Sequence, residues 1–288
     1  MKASIIVPTL NRSALLQRTI SSLLAQTFPV GDFEIIVVDN GSTDSTRATV
    51  ESLRKEHPKS RLRYVYEPEP GLLSGRHRGA LEATGEILVF TDDDIEAVPG
   101  WLAAIVSGFD DPQVQLLGGK NLPKYEIAPP AWIEEFWEDA PGGGRYCFYL
   151  SLLDLGDQRR PIEPWLIFGL NFSIRAKTLR DLGGFHPDCL PAHLPQFDGD
   201  GETGLALKAG ERGLLALYEP KATVFHLTPA SRLTREYFTA RSYAEGVRDS
   251  YTRVRAYGVP ADLTMYRKMR RLAGRVKRQT KARLARTA

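Results

Sequence analysis

The chain has 288 residues, 42% of them hydrophobic and 25% charged, a composition typical of a globular protein with a sizeable core. Its two cysteines lie far apart and outside any metal-binding spacing, which argues against a disulfide framework or a zinc site. The formal net charge is only +3, but residues 267–288 carry ten of the 38 basic residues and no acid, so an acidic body precedes a basic tail.

The location expected from these features is cytoplasmic and reducing. No stretch approaches the roughly 18 apolar residues of a membrane span, and the first residues lack the apolar segment of a signal peptide. The basic tail has three interpretations: contact with an anionic membrane, a solvated disordered tail, or nonspecific binding of nucleic acid. Because residues 267–288 contain no aromatic side chain on which bases could stack, we expect no specific nucleic acid partner. Membrane contact would place the protein peripherally, at the inner face of the membrane.

The first 120 residues alternate strand and helix patterns. Strands are predicted at 4–8, 33–39, 62–66 and 86–90. Helices are predicted after a cap at 11–13, from 44–45 to about 57, and over 74–84. Apolar strands that alternate with helices indicate a parallel sheet between helical layers, and such sheets bind ligands at the carboxyl ends of their strands.

The second half of the sequence is less regular. Residues 121–165 are rich in proline, glycine and tryptophan, which predicts a loop-rich insertion with short helices. Further along, strands are predicted at 168–174, 214–218 and 222–226, and helices over 177–182, 203–209 and 234–256.

Two predicted strands end in acidic residues. Asp39 ends "IIVVD", and Asp92, Asp93 and Asp94 follow "EILVF". Because parallel strands end at the same edge, the two clusters should lie together. A tight turn with a helix cap is the alternative interpretation of "DNGSTDS". Three adjacent carboxylates repel one another, so either water screens them on a solvated turn or a hard divalent cation lies among them.

Three familiar site types are excluded. Counting from Asp92, the sixth and twelfth positions are Ala97 and Ala103, where a calcium loop of the EF-hand type requires glycine and glutamate. The sequence also lacks G-x-G-x-x-G after its first strand and lacks G-x-x-x-x-G-K-[ST] altogether. A nucleotide, if bound, should therefore be held through its diphosphate by a metal.

Four segments in order resemble the family 2 glycosyltransferases of GT-A fold: "SIIVPTLNR" (4–12), "IIVVDNGSTDST" (35–46), "GLLSGRHRGALEATGEILVFTDDD" (71–94) and "NFSIRAKTLRDLGGF" (171–185). The resemblance implies a Rossmann-like, mostly parallel central sheet flanked by helices, with a loop-rich acceptor-side insertion and C-terminal helices. It implies a glycosyltransferase domain over 1–245, divided into a nucleotide-sugar-binding half (1–120) and an acceptor half (121–245). A C-terminal helix and the basic tail would follow over 246–288.

The resemblance assigns several residues to the nucleotide-sugar. These are Pro8, Thr9, Arg12, Asp39, Asn40, Arg76, Asp92 and Asp93. Asp39 would accept a hydrogen bond from the base, Asp92 would lie near the ribose, and Asp93 could serve beside either Asp92 or the metal. Arg76 would approach the base or the diphosphate. Arg78 is a second candidate, for which a solvated helix face is the favoured interpretation.

The same resemblance predicts a divalent cofactor, Mn²⁺ or Mg²⁺. "DDD" matches the family's D-x-D, so Asp94 would ligate the metal, which neutralises charge on the leaving nucleotide. His226, at the end of "ATVFH", matches a histidine ligand from a late strand in several GT-A enzymes, although a purely structural histidine is the alternative. An imidazole ligand favours Mn²⁺ over Mg²⁺.

The general base implied by the resemblance lies in an "ED" motif, which this sequence replaces with "GDGET". Asp200 and Glu202 both remain candidates, and one of them could instead cap the following helix. The family generally inverts the anomeric centre by single displacement. Three tryptophans, at 132, 137 and 165, could form a sugar platform in the acceptor groove or pack in the core.

We therefore expect metal-dependent transfer of a sugar, with inversion, from a nucleoside-diphosphate sugar to a hydroxyl of a glycan or lipid-linked acceptor. UDP is the commonest donor base in the family, and glucose, galactose, N-acetylhexosamines and rhamnose all remain open. A nucleotidyltransferase of related fold is one alternative, weakened because "VPTLNRSALL" contains no glycine. A non-catalytic sugar-nucleotide-binding protein is the other, and the altered "GDGE" is its support.

Overall fold

The computed structural model describes residues 1–185 and 201–258. The chain divides into two compact units, residues 1–248 and 249–288. The first unit contains the β-sheet, and the described part of the second, residues 249–258, includes the end of a helix. Within the described ranges, no helix is both long enough and apolar enough to cross a bilayer. The functional division into 1–120, 121–245 and 246–288 stays a prediction, and the basic tail lies outside the described residues.

The first half of the chain forms the predicted alternation of strands and helices. Its elements are β1 (Ala3–Thr9), α1 (Ser13–Leu24), β2 (Phe33–Asp39), α2 (Thr46–Glu56), β3 (Leu62–Tyr66), α3 (Leu72–Glu82), β4 (Ile87–Phe90), β5 (Ile95–Ala97) and α4 (Trp101–Gly108). Strands β1 to β4 pair in parallel in the order β3-β2-β1-β4. Their carboxyl ends therefore share one edge, as the sequence predicted.

The second half extends this sheet with mixed pairing. Its elements are β6 (Val114–Tyr125), β7 (Glu138–Asp139), β8 (Arg145–Cys147), β9 (Leu152–Asp154), β10 (Arg160–Ile162), β11 (Phe172–Arg175), α5 (Ala176–Asp181), α6 (Glu202–Glu211), β12 (Leu215–Thr228) and α7 (Arg235–Tyr257). β11 lies antiparallel between β4 and β6, and β12 runs parallel to β6. The predicted α/β fold is confirmed.

Two sequence predictions about strands were wrong. The strand predicted at 168–174 begins only at Phe172, because residues 169–171 form a 3₁₀ turn. The two strands predicted at 214–218 and 222–226 are one strand, β12, which lies beside β6 along its whole length. Its pairing shifts between Glu219 and Val224, and Pro220 lies in that irregularity, where a missing backbone donor costs no ladder bond.

The central strands are buried on both faces, as is typical of a parallel sheet between helices. Ile5 and Val7 of β1 point into a core that also receives apolar side chains of α1, α2 and α4. Ile6, between them, points to the opposite core, which α3, α5 and α6 cover. The alternation fixes the register of β1 in the sheet, because a slip by one residue would exchange the two sets.

The insertion forms a third, aromatic cluster. The ring of Trp132 meets those of Phe136 and Phe238 edge-on, with centroids 5.8 and 5.0 Å apart. Trp137 packs against the same cluster, and Trp165, with 37% of its surface exposed, contacts Tyr146 instead. Trp132 and Trp137 thus pack, partly buried, at the edge of this cluster, and a sugar platform stays a prediction.

The start of α1 is capped differently from the sequence prediction. The side chain of Asp44 accepts hydrogen bonds from the backbone N–H of Ser13 at 3.0 Å and of Thr46 at 2.9 Å. One carboxylate thus joins the starts of α1 and α2, and hydrogen bonds from the Thr46 hydroxyl and these amides lower the pKa of Asp44 to about 2. The predicted cap at 11–13 was wrong, because Asn11 Oδ1 instead accepts from the N–H of Thr43 at 2.8 Å.

Glu34 ties the amino ends of the strands together. Its buried carboxylate accepts hydrogen bonds from the hydroxyls of Ser4 and Thr84, each at 2.7 Å, and pairs with Arg63 at 3.1 Å. Burial raises the pKa of this group, but the hydrogen bonds outweigh burial and lower it. Because the folded pKa is the lower one, the stabilisation exists above the unfolded pKa of about 4.3 and is lost as pH falls through the folded value.

We expect Glu34→Gln to lower the free energy of unfolding at pH 7 by roughly 1–3 kcal/mol, because Ser4, Thr84 and Arg63 lose their charged acceptor, although Glu82 still pairs with Arg63. Urea denaturation measures this loss, and Glu86→Gln, which changes an exposed carboxylate, is the matched control. The difference between the wild type and Glu34→Gln should shrink as pH falls below about 4. If the difference in the free energy of unfolding does not change with pH, the ionised form of Glu34 is not what stabilises the fold.

Candidate functional site

The ends of β1 and β4 meet through the aspartate triplet. The hydroxyl of Thr9 donates to Asp93 Oδ2 at 2.7 Å, and Arg12 donates to Asp93 Oδ1 at 2.9 Å and to Asp94 Oδ2 at 3.1 Å. Asp93 and Asp94 are both buried, so the triplet is not a solvated turn. Burial raises the pKa of Asp93 to about 6, against the lowering effect of Thr9 and Arg12.

Asp94 faces His226 across the sheet edge. Asp94 Oδ1 is buried, lies 3.4 Å from His226 Nε2 and accepts no hydrogen bond. Because His226 Nδ1 lies 2.8 Å from the carbonyl oxygen of Leu150, that nitrogen must carry a proton and donate. In the neutral ring the lone pair is then on Nε2, the nitrogen nearer Asp94. Burial opposes ionisation of Asp94, but the guanidinium groups of Arg232 and Arg12 hold its pKa well below the usual range.

Asp94 and His226 could supply some, but not all, of the ligands of a divalent cation. A carboxylate oxygen that accepts no hydrogen bond and an imidazole lone pair fixed by a backbone carbonyl are suitable ligands for Mn²⁺. Across residues 1–185 and 201–258, no group of three histidine, cysteine or acidic side chains could hold a metal. Asp94 and His226 would therefore supply two ligands, and phosphate oxygens and water would supply the others.

A cavity of about 370 Å³ opens at the ends of β1 and β4. It is lined by Pro8, Thr9, Leu10, Arg12, Asn40, Gly71, Leu72, Asp92 and Asp93. Asp39 is absent from this lining: its buried carboxylate accepts from the Tyr64 hydroxyl at 2.7 Å and from the Ser42 N–H at 2.8 Å. Asn40 reaches the cavity while its amide bonds the backbone of Glu67, Glu69 and Gly71.

A second cavity, of about 210 Å³, shares Asp92 and Leu72 with the first. It is lined by Leu72, Arg76, Asp92, Phe148, Tyr149, Leu150, Ser151, Gly201, Glu202, Thr203, His226, Arg232, Tyr237, Arg241, Glu245 and Arg248. The predicted residues Asp92, Glu202 and His226 thus meet in one place, although they are distant in the sequence. Asp200 lies outside the described residues.

Arg76 lines the second cavity and pairs with two of its acids. Only 2% of its side chain is exposed, and its guanidinium donates to Glu202 Oε2 at 3.0 Å and to Asp92 Oδ1 at 3.3 Å. Burial favours the neutral form of both acids. For Asp92 burial prevails and raises the pKa, whereas for Glu202 the charge and hydrogen bond of Arg76 prevail and lower it.

Glu202 is held from a second side. The backbone N–H of Gly169 donates to Glu202 Oε1 at 3.0 Å, and a Cβ atom at position 169 would lie only 2.8 Å from that oxygen. Glu202 is also the first residue of α6, where the helix dipole favours a negative charge. Arg78, by contrast, lines neither cavity and pairs with Glu82 at 2.8 Å, as expected for a helix surface.

Sequence reasoning missed two site residues. Arg232 contacts both Asp94 and His226, and Gly169 supports Glu202. Arg232 lies in "TPASR", six residues after His226, and no motif marks it. Gly169 begins the 3₁₀ turn that sequence reasoning took for a strand.

Comparison with known proteins gives a consistent result. The chain matches the family model described as glycosyl transferase family 2 over residues 4–178. The validoxylamine A glucosyltransferase of Streptomyces hygroscopicus subsp. jinggangensis is 37% identical over 201 residues, which are 64% of this chain and 47% of that protein. The GalNAc(5)-diNAcBac-PP-undecaprenol beta-1,3-glucosyltransferase of Campylobacter jejuni is 33% identical over 117 residues, covering 41% of this chain and 37% of the relative. The chain spans less than half the length of these relatives.

Solved structures share the fold at low sequence identity. Residues 1–349 of S. aureus TarS, in complex with UDP-GlcNAc, match with a TM-score of 0.54 and 20% identity over 85% of this chain and 66% of that one. The mannosyltransferase PcManGT of Pyrobaculum calidifontis, in complex with GDP-Man and Mn²⁺, matches with a TM-score of 0.56 and 20% identity over 94% of this chain and 80% of that one. Because the family match covers more than half of its residues, the chain belongs to glycosyl transferase family 2.

Proposed function

We propose that this protein transfers a sugar from a nucleoside-diphosphate sugar to an acceptor hydroxyl. The observation that carries the proposal is the meeting of Asp92, Asp94, Glu202 and His226 around two adjoining cavities. The first cavity, at the ends of parallel strands, suits the nucleotide. The second, which contains Glu202, suits the transferred sugar and the acceptor.

The donor is a UDP-sugar in the first instance, with Mn²⁺ the preferred cofactor. TarS is solved with UDP-GlcNAc, and PcManGT with GDP-Man and Mn²⁺, which supports a nucleotide-sugar with a divalent cation. The validoxylamine A relative is named a glucosyltransferase, which makes glucose the first sugar to test. Pro8, Thr9, Arg12 and Asn40 would contact the nucleotide. Asp39 would accept a hydrogen bond from the base, because its carboxylate has acceptor capacity beyond its two observed bonds.

The reaction we propose is a single displacement with inversion. The acceptor oxygen attacks the anomeric carbon, its proton passes to Glu202, and the bond from that carbon to the diphosphate breaks. When bound, the metal supplies Lewis-acid stabilisation of the leaving diphosphate. Asp94 and His226 would hold that metal, and Arg76 keeps Glu202 ionised and oriented. Asp200 remains the second candidate for the base.

A pH profile would test the pairing of Arg76 with Glu202. Because the base acts in its ionised form and Arg76 lowers the pKa of Glu202, protonation of Glu202 should limit activity only below the ordinary glutamate pKa of about 4.3. Arg76→Gln should move the acid limb of kcat/KM toward higher pH, since the pKa of Glu202 rises without the guanidinium. Arg78→Gln, on the same helix, is the control. An unshifted limb in a folded Arg76→Gln variant would argue against this role.

The acceptor is a glycan or a lipid-linked glycan. A lipid-linked acceptor is supported by the Campylobacter relative, whose name specifies an undecaprenol-linked one. A peripheral site at the inner face of the membrane, through the basic tail at 267–288, would suit such an acceptor. The functional division into donor and acceptor halves at about residue 120 belongs to the same proposal.

The first experiment is calorimetric titration of UDP, GDP and dTDP, with and without Mn²⁺. We expect one nucleotide, UDP first, to bind tightly only with the metal. Incubation with the corresponding radiolabelled sugar donors and candidate acceptors would then detect transfer. Failure of a folded protein to bind any of the three nucleotides would reject the donor site, and binding without transfer would favour the non-catalytic alternative.

A further inference from the structure

Arg232 lies between the two residues that would ligate the metal. One guanidinium nitrogen is 2.8 Å from His226 Nε2, and another donates to Asp94 Oδ2 at 3.0 Å. The Arg232 side chain is only 19% exposed, so both contacts are largely shielded from solvent. A single cationic group thus bridges the imidazole and the carboxylate.

The backbone fixes the origin of this side chain. Arg232 ends a short 3₁₀ turn that follows β12, and its N–H donates to the carbonyl of Pro229 at 2.9 Å. Leu233, the next residue, is buried in the aromatic cluster. The side chain therefore starts from a fixed point beside His226, and only its own torsions can move the guanidinium.

Arg232 and a metal require the same electron pair. The Nε2 atom of a neutral imidazole has one lone pair, and here that pair accepts a hydrogen bond from Arg232. The same lone pair cannot bond a metal at the same time. A cation bound by Asp94 and His226 must therefore displace the guanidinium.

We propose that Arg232 is a built-in competitor for the metal and that it moves to the donor diphosphate when the metal binds. This inference rests on the proposed function. Arg232 lines the second cavity, which adjoins the first at Leu72 and Asp92, the junction where the diphosphate would link the nucleotide to the sugar. The planar guanidinium matches phosphate oxygens through two parallel hydrogen bonds, so the diphosphate would accept the hydrogen bonds that Arg232 now donates to Asp94 and His226.

The consequence is a coupling between metal and nucleotide. Metal alone binds weakly because it must expel Arg232 into water, whereas metal with nucleotide gives the guanidinium a new partner. By linkage, each ligand should strengthen the other by the same factor. Removing the guanidinium should make metal binding tighter without nucleotide and should reduce the coupling.

The test is Mn²⁺ binding to the full chain, measured by electron paramagnetic resonance with and without UDP. We expect Arg232→Gln to bind Mn²⁺ alone at least about five-fold more tightly than the wild type, and UDP to strengthen this binding by a smaller factor. Arg232→Lys, which keeps the charge but not the two-point fork, should lie between them. Arg18→Gln, which removes a guanidinium paired with Glu96 instead of Asp94, should behave as the wild type.

Equal or weaker Mn²⁺ binding in Arg232→Gln, with a thermal unfolding curve like that of the wild type, would overturn the inference. A second result would also overturn it: neither the wild type nor Arg232→Gln binds Mn²⁺, although both still bind UDP. The site would then bind no cation even after its proposed competitor, Arg232, had been removed. The first outcome leaves the proposed sugar transfer as it stands, whereas the second also removes the metal from it. The proposed function fails separately, if no nucleotide binds and no sugar is transferred.

Discussion

Replacing Asp94 by asparagine should abolish Mn²⁺-dependent UDP binding and lower sugar transfer by at least about 100-fold. Asparagine keeps the size of the side chain but removes its charge, so it would ligate a cation only weakly. Arg232 also loses its anion in this variant, whereas Arg12 keeps Asp93 as its partner. Titration calorimetry with UDP and Mn²⁺, followed by a transfer assay, measures both effects.

The control for this change is Asp110→Asn, which neutralises an exposed carboxylate just after α4. A thermal unfolding curve separates loss of ligation from loss of folding, since an Arg232 guanidinium without its carboxylate would destabilise the variant. If folded Asp94→Asn binds UDP and Mn²⁺ as tightly as the wild type, Asp94 is not a metal ligand.

Glu202→Gln should lower transfer by at least about 100-fold and leave UDP binding within a few-fold of the wild type. The amide has one accepting oxygen, so it keeps the hydrogen bond from either Gly169 or Arg76 but not both, and it cannot accept the proton of the acceptor hydroxyl. The loss should therefore appear in kcat and not in the affinity for the donor.

Asp200→Asn is the informative comparison, because the sequence leaves both acids open as the base. Loss of transfer in Asp200→Asn alone would move the base to that position and leave Glu202 as a partner of Arg76. Loss in neither variant, with UDP still bound, would show that neither acid is the base.

The strands of the sheet could be predicted because each is marked by residues that are adjacent in the sequence. Each of β1 to β4 is a short apolar run, and each is followed by residues able to start a helix or a turn. The parallel arrangement then places the ends of β1 and β4 together, which is how Thr9 and Asp93 come to share a hydrogen bond across 84 positions. The proposal that this edge is a nucleotide-sugar site came from the family resemblance.

The pairings around the arginines could not be predicted. Arg76 and Glu202 are 126 positions apart, and Arg232 and Asp94 are 138 apart. An arginine on an amphipathic helix is usually solvated, and although the family resemblance favoured Arg76 over Arg78 as a donor ligand, it did not predict the partners of Arg76. Only the tertiary structure buries the first beneath Phe185 and leaves the second at the surface beside Glu82.

The irregular pairing in β12 has a consequence for where this fold can change in length. His226 is aligned by β5, since His226 pairs with Ile95 and the Leu227 N–H donates to the carbonyl of Asp94 at 2.8 Å. Lys221 lies upstream, in the stretch where β12 and β6 shift register, and it is exposed. An extra residue at Lys221 would lengthen a bulge without turning His226. An extra residue at Phe225 would send the imidazole to the opposite face of the sheet.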